Sequence, residues 1–215
     1  MRRTSIFTAL LCVLSSLWSA DANDPSMADY RDDFIRNRLP FAPQCKPVFD
    51  TGNFGNYSGA FSIVDVAGQK FSKALRFEIR NRPKHVYDVQ AQSINNIAPI
   101  KAGDVIFFAV PMRCIETQNE SGEAEVPLWF VPKGKWDFSI QLLAGREWTT
   151  TYGFFVAKQD YPTNALHLHF MLSKYKQTVE IGGILVLNLG SEIDPAKLPR
   201  NVFTYAGRES GASWR

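Results

Sequence analysis

The stretch "ALHLHFML" (165–172) alternates without a slip: Leu166, Leu168, Phe170 and Leu172 on one side, His167, His169 and Met171 on the other. A period of two fits a half-buried strand, whereas a helix with this pattern would scatter its apolar residues around every face. The same period recurs in "AFSIVDV" (60–66), "ALRFEIR" (74–80), "HVYDVQAQ" (85–92) and "GDVIFFAVPMRCI" (103–115). It continues through "EVPLWFV" (125–131), "KWDFSIQLL" (135–143), "YGFFVA" (152–157) and "QTVEIGGILVLNLG" (177–190). Turn signals separate the runs: "VAGQ", "NRPK", "PIKAGD", "NESGE", "PKGK", "LAGRE", "DYPTN" and "SKYK". Short strands at this spacing, with no long helix between them, predict antiparallel sheets stacked as a sandwich rather than alternating βα units. Within "KWDFSIQLL", Trp136, Phe138, Ile140 and Leu142 share the face that should turn inward. Residues 23–44 are polar and proline-bearing, with one or two helical turns expected around "ADYRDDFIRNRL".

The start of the chain reads differently. "MRR" is a basic n-region, "IFTALLCVLSSLW" an apolar h-region, and "SADA" supplies small residues at Ala20 and Ala22. That is the pattern of a secretory signal cut after Ala22, and the run is too short for a transmembrane anchor. A lipoprotein reading through Cys12 is disfavoured by the bulk of Leu10 and Leu11. The chain is expected to be secreted or periplasmic. Its 24 basic and 21 acidic residues give a net charge of +3 with no basic run, which excludes nucleic acid as an expected partner. After signal cleavage no membrane contact is expected. Cys45 and Cys114 remain; in an oxidising compartment they either pair or persist as buried thiols, and the sequence leaves both open. Sequons stand at Asn56 and Asn119.

Catalytic patterns are sparse. His167-x-His169 has metal-ligand spacing on a strand, as in cupin jelly rolls, but the next acid is Glu180, across a turn. A metal-dependent enzyme is thus the last of three readings, and the metal ligands stay unknown. No serine sits in a G-x-S-x-G elbow, and His85 falls in a turn with no nucleophile beside it. Paired carboxylates need only spatial proximity, yet Glu116, Glu120, Glu123 and Glu125 sit mostly in turns. The chain is read as not an enzyme.

A polar sheet face bearing amides, an arginine and aromatics suits sugars, whose rings have apolar faces and whose hydroxyls take hydrogen bonds from planar groups. The candidate ligand-binding residues are Tyr87, Gln90, Gln92, Phe108, Arg113 and His169, with Trp129 and Glu125 as additions. A residue such as Phe108 is more often core than ligand platform, Trp136 belongs with inward residues, and Trp148 fits either place.

A resemblance sharpens this. In order, "FSKALRFEI", "YDVQAQ", "IKAGDVIFFAVPMR", "WTTTYGFFVAKQDYPTNALHLHF", "QTVEIGGILVLNLG" and "LPRNVFTYAGRESGASWR" run over roughly 60–215. This series resembles the non-catalytic module that precedes the catalytic barrel in some family 10 glycoside hydrolases, the xylanases. It is also similar to carbohydrate-binding modules of families 4, 9 and 22. The resemblance implies an all-β antiparallel jelly-roll sandwich of the galactose-binding-like class, with a sugar cleft on the concave sheet and often a structural calcium. No other cofactor is implied. Tyr87 and Gln90 match the spacing of an aromatic and a glutamate in xylan-binding members, with Tyr for Trp and Gln for the acid; Phe108 and Arg113 match a second aromatic–arginine spacing. In the resembled enzymes the closing segment leads into a (β/α)₈ barrel of about 250 residues. Its absence leaves two expectations, a stand-alone module or a truncated product.

The expected organisation is a signal peptide (1–22), an N-terminal polar segment (23–44), the sandwich (45–192) and a tail or vestigial linker (193–215), packed through Tyr205 and Trp214 if it acts as a strap. The expected function is an exported, non-catalytic module recognising a plant-type or other β-linked polysaccharide such as xylan. The alternative is a structural or protein-interaction sandwich that has lost sugar binding.

Overall fold

The computed structural model describes residues 25–50, 54–57, 60–81, 84–93, 95–132 and 138–201, without the side chains of 25, 26, 54–57 and 60. The signal peptide, Trp136, Tyr205 and Trp214, on which expectations fell, lie outside the described residues. The chain opens with helix α1 (Pro25–Arg38), followed by β1 (Lys46–Pro47), β2 (Phe54–Tyr57), β3 (Ala60–Asp65), β4 (Lys73–Ile79) and β5 (Gln90–Ser93). Then come β6 (Val105–Thr117), β7 (Ala124–Pro132), β8 (Phe138–Ala144), β9 (Thr149–Val156), β10 (Leu166–Met171), β11 (Gln177–Gly182) and β12 (Leu185–Asn188).

These strands form two antiparallel sheets in an all-β jelly-roll sandwich. The seven-stranded sheet runs β1–β12–β6–β11–β4–β3, with β9 on the other edge of β6; the five-stranded sheet runs β2–β5–β10–β7–β8. Between the sheets lies the main core, to which β6 contributes Ile106, Phe108, Val110, Met112 and Cys114, and β10 contributes Leu166, Leu168 and Phe170. A second apolar layer covers the opposite face of the seven-stranded sheet. There Tyr30 and Phe34 of α1, with Leu39, meet Val105, Phe107, Ala109, Leu185 and Leu187. Phe34 packs 6.0 Å from Phe107 and 5.9 Å from Tyr152, centroid to centroid. β6 is therefore buried on both faces, which is why its sequence is almost continuously apolar rather than alternating.

The structure departs from expectation in three places. The 23–44 segment holds a helix of 14 residues, not one or two turns, because Tyr30, Phe34 and Leu39 bury against the sheet. The strand expected at 85–92 is confined to Gln90–Ser93. Before it, the Asp88 carboxylate accepts from the His85 N–H at 2.9 Å, and the Ser173 hydroxyl donates to the His85 and Val86 carbonyls, which fixes a turn. The run 177–190 breaks into β11 and β12 at Gly183, whose φ is +58°. Of the two possibilities the sequence leaves open for the cysteines, the structure has the free thiols: Cys114 lies between the sheets and Cys45 against the helix-side cluster. Burial pushes both thiols above their ordinary pKa. Among the described residues no helix is long and apolar enough to cross a membrane.

Candidate functional site

The outer face of the five-stranded sheet is built by simple alternation. Ala91 and Ser93 of β5 turn inward and are buried, so Gln90 and Gln92 turn outward. Leu166, Leu168 and Phe170 of β10 enter the core, so His167 and His169 stand on the outer face beside the two glutamines. Register sets the neighbours: His169 lies opposite Gln92 on one side and opposite Trp129 of β7 on the other. Trp129 in turn pairs with Ser139 of β8, so one row crosses four strands as Gln92, His169, Trp129 and Ser139.

Diagonal hydrogen bonds lock this face, the contacts that neighbouring strands permit at offset positions. Gln92 Nε2 lies 3.1 Å from His167 Nδ1, and His169 Nδ1 lies 3.1 Å from Gln90 Oε1. An amide nitrogen only donates and an amide oxygen only accepts, so the two imidazoles take opposite tautomers. His167 in its neutral form carries its proton on Nε2 and presents a donor. His169 gives its Nδ1 proton to Gln90, and its Nε2 lone pair is buried without a partner. Burial, and then the nearby His167, lower the His169 pKa to about 4, so the ring stays a neutral acceptor at ordinary pH. The row as a whole is polar, uncharged and directional.

Tyr87 stands in the turn leading into β5 and is half exposed, its ring stacked on His85 at 5.0 Å and 5°. It offers a flat aromatic surface three residues before Gln90. Trp129 is different: at 9% exposure its ring is largely covered. Glu125, on the outward side of β7, is held by Lys174 and accepts from Asn119 Nδ2 at 3.1 Å.

Two expected residues do not join this face. Phe108 is wholly buried in the inter-sheet core, 6.0 Å from Phe130, and presents no surface for stacking. Arg113, also on β6, lies on the outer side of the seven-stranded sheet and bonds Glu180. The aromatic–arginine spacing thus straddles a strand whose two sides look into different layers. The sequence reading also passed over His167 as a partner of Gln92. The signal was available, since alternation puts both histidines on the same side.

The His-x-His pair does not make a chelate. Both Nδ1 atoms are engaged by amides, and the rings stand perpendicular at 5.9 Å. Among the described residues no group of three or more His, Cys, Asp or Glu gathers as metal ligands. Two acids at and near the 101–104 turn are engaged by protein donors. Asp104 accepts from the Lys101 N–H and from Asn188 Nδ2, while Asp160 accepts from Lys101 Nζ and the Ala102 N–H.

No protein-family model matches the chain, and no curated protein matches it. Among solved structures it is similar to a CBM4 module at 11% identity and TM-score 0.45, covering 60% of this chain and 77% of that one. It is similar to the CBM22-1 xylan-binding domain of Paenibacillus barcinonensis Xyn10C at 11% identity and TM-score 0.43, covering 63% and 85%. A third, the arabinose-bound α-L-arabinofuranosidase MgGH51, aligns at 8% identity and TM-score 0.47 over 67% of this chain but only 23% of that one.

Proposed function

We propose that the protein is an exported, non-catalytic carbohydrate-binding module that takes a neutral β-linked polysaccharide, such as xylan, on the outer face of its five-stranded sheet. One observation carries the reading. The amide–imidazole row holds a buried acceptor, His169 Nε2, with no protein partner, on a face that bears no free charge in that row. A buried acceptor left unpaired is costly, and a hydroxyl donor from a ligand would satisfy it. Gln92 Oε1 and His167 Nε2–H add an acceptor and a donor beside it, and the Tyr87–His85 stack supplies a flat apolar surface for a pyranose ring. Nothing in the row pairs a nucleophile with a base, which supports a binding rather than a catalytic role.

Affinity electrophoresis of residues 23–215 through gels containing xylan, mixed-linkage β-glucan, galactan or mannan tests this. Retardation by at least one neutral polymer is expected, weakened about two- to ten-fold in Gln92→Ala, the range for losing one hydrogen-bonding side chain. A protein that migrates unretarded through all four contradicts the reading. That outcome would favour the interaction sandwich, which has its own support in the burial of Trp129, the one described tryptophan on this sheet.

A further inference from the structure

We propose that the outer face of the seven-stranded sheet carries a second site, which takes the carboxylate of an acidic saccharide on Arg76 and Arg113 beside Trp148. The saccharide part rests on the function proposed above; the oxyanion part does not. Glu180 of β11 is paired in register with Arg76 of β4 on one side and with Arg113 of β6 on the other, so the three form one row across the sheet. The carboxylate is fully buried. Its Oε1 accepts from Arg76 Nε at 2.8 Å and Nη2 at 2.5 Å, and its Oε2 accepts from Arg113 Nε at 2.5 Å.

A single two-pronged arginine would neutralise that carboxylate. The second leaves the row with a net positive charge, held by two guanidiniums drawn together over one buried anion. Both arginine side chains stay about a third exposed, at 34% and 31%. Of the five N–H donors a guanidinium carries, Arg113 commits only Nε and Arg76 only Nε and Nη2 among the described residues, so Arg113 keeps both Nη groups there.

Their surroundings hold them in place. Arg113 sits 5.2 Å over the Trp148 ring, and Trp148 meets Phe71 edge-on at 5.1 Å. Phe71 continues to Tyr30 of α1, which walls the patch on that side. On the other side lie Glu78 and Glu116, in register with Thr178; Glu78 is paired with Arg80 at 3.0 Å, and Arg146 bonds the Ile115 carbonyl next to Glu116. The free donors are planar forks beside a partly exposed indole. That geometry matches a planar carboxylate on a ring better than a lone spherical anion.

The test uses gels containing polygalacturonate, with free sodium glucuronate and sodium sulfate as competitors. In parallel, the arginine Nε–H resonances of the unmodified protein are followed by ¹H–¹⁵N NMR as glucuronate is added. The expected result is retardation at low salt that fades as salt is raised. It should weaken about ten-fold in Arg113→Lys, which keeps the charge but loses the fork. It should be unchanged in Gln92→Ala, on the other sheet, with the Arg76 and Arg113 resonances shifting. No retardation at low salt with unmoved arginine resonances overturns the proposal, and so does retardation that survives Arg113→Lys. Equal displacement by sulfate and glucuronate at matched ionic strength overturns the saccharide part. The neutral-polymer gels report on the other sheet, so either site can fail without the other.

Discussion

His169 shows how one side chain couples stability to the binding chemistry. Its pKa in the folded protein is about 4, below the ordinary 6.5, because burial disfavours the imidazolium. As pH falls the unfolded chain takes up that proton first. The contribution of His169 is therefore fully present above about pH 6.5 and is lost progressively down to about 4. Thermal melts of the wild-type protein should show this loss across that window, and His169→Gln should remove part of the slope. An identical pH dependence in the two proteins would show that His169 is not the group responsible. Over most of that window the ring remains an acceptor, a role it gives up as the pH nears 4. The outward placement of Gln90, Gln92 and His169 was legible, because strands β5 and β10 keep a strict period of two. Phe108 and Arg113 were not: on β6 both faces are buried over the first half, so alternation cannot say which residues look outward. Glu180 looked like an acid across a turn from the histidines; it lies fully buried on the other sheet.

At the scale of elements, the junction of β11 and β12 depends on two glycines. A Cβ on Gly182 would come within 2.7 Å of the Phe71 ring, and one on Gly183 within 2.5 Å, where φ is already +58°. Phe71 lies against this bare backbone and, through Tyr30 and Trp148, joins the helix layer to the arginine row. Gly183→Ala should destabilise by about 1–3 kcal/mol, from crowding of the ring together with the left-handed backbone. Urea unfolding measures this, and a midpoint unchanged from wild type would mean that Phe71 moves aside freely. "EIGGIL" reads as strand by composition, and the break is visible only as a pair of glycines whose partner is more than 100 residues away. Helix α1 escaped notice for a related reason. Its buried stripe is short, and it forms because β6 and β12 present an apolar outer face to receive it.

Across the whole molecule, the two sheets share one core but turn chemically different faces outward. The five-stranded face carries a row of amides and imidazoles; the seven-stranded face is split between the helix layer and a row of two arginines on one glutamate. The sandwich itself was readable from nine short strand-like runs and their turn signals, because burying their apolar faces leaves few other arrangements. Which residues share a face was less readable, since that depends on pairing between strands far apart in sequence. β5, for example, lies between β2 and β10. Sugar binding on the five-stranded face is tested most directly by a ¹H–¹⁵N NMR titration of residues 23–215 with neutral hexaoses: xylohexaose, cellohexaose and mannohexaose. At least one is expected to shift the side-chain amides of Gln90 and Gln92 and the backbone amides of β10, leaving the Arg76–Glu180–Arg113 row unmoved. Spectra unchanged by all three, or shifts confined to the seven-stranded sheet, would contradict it.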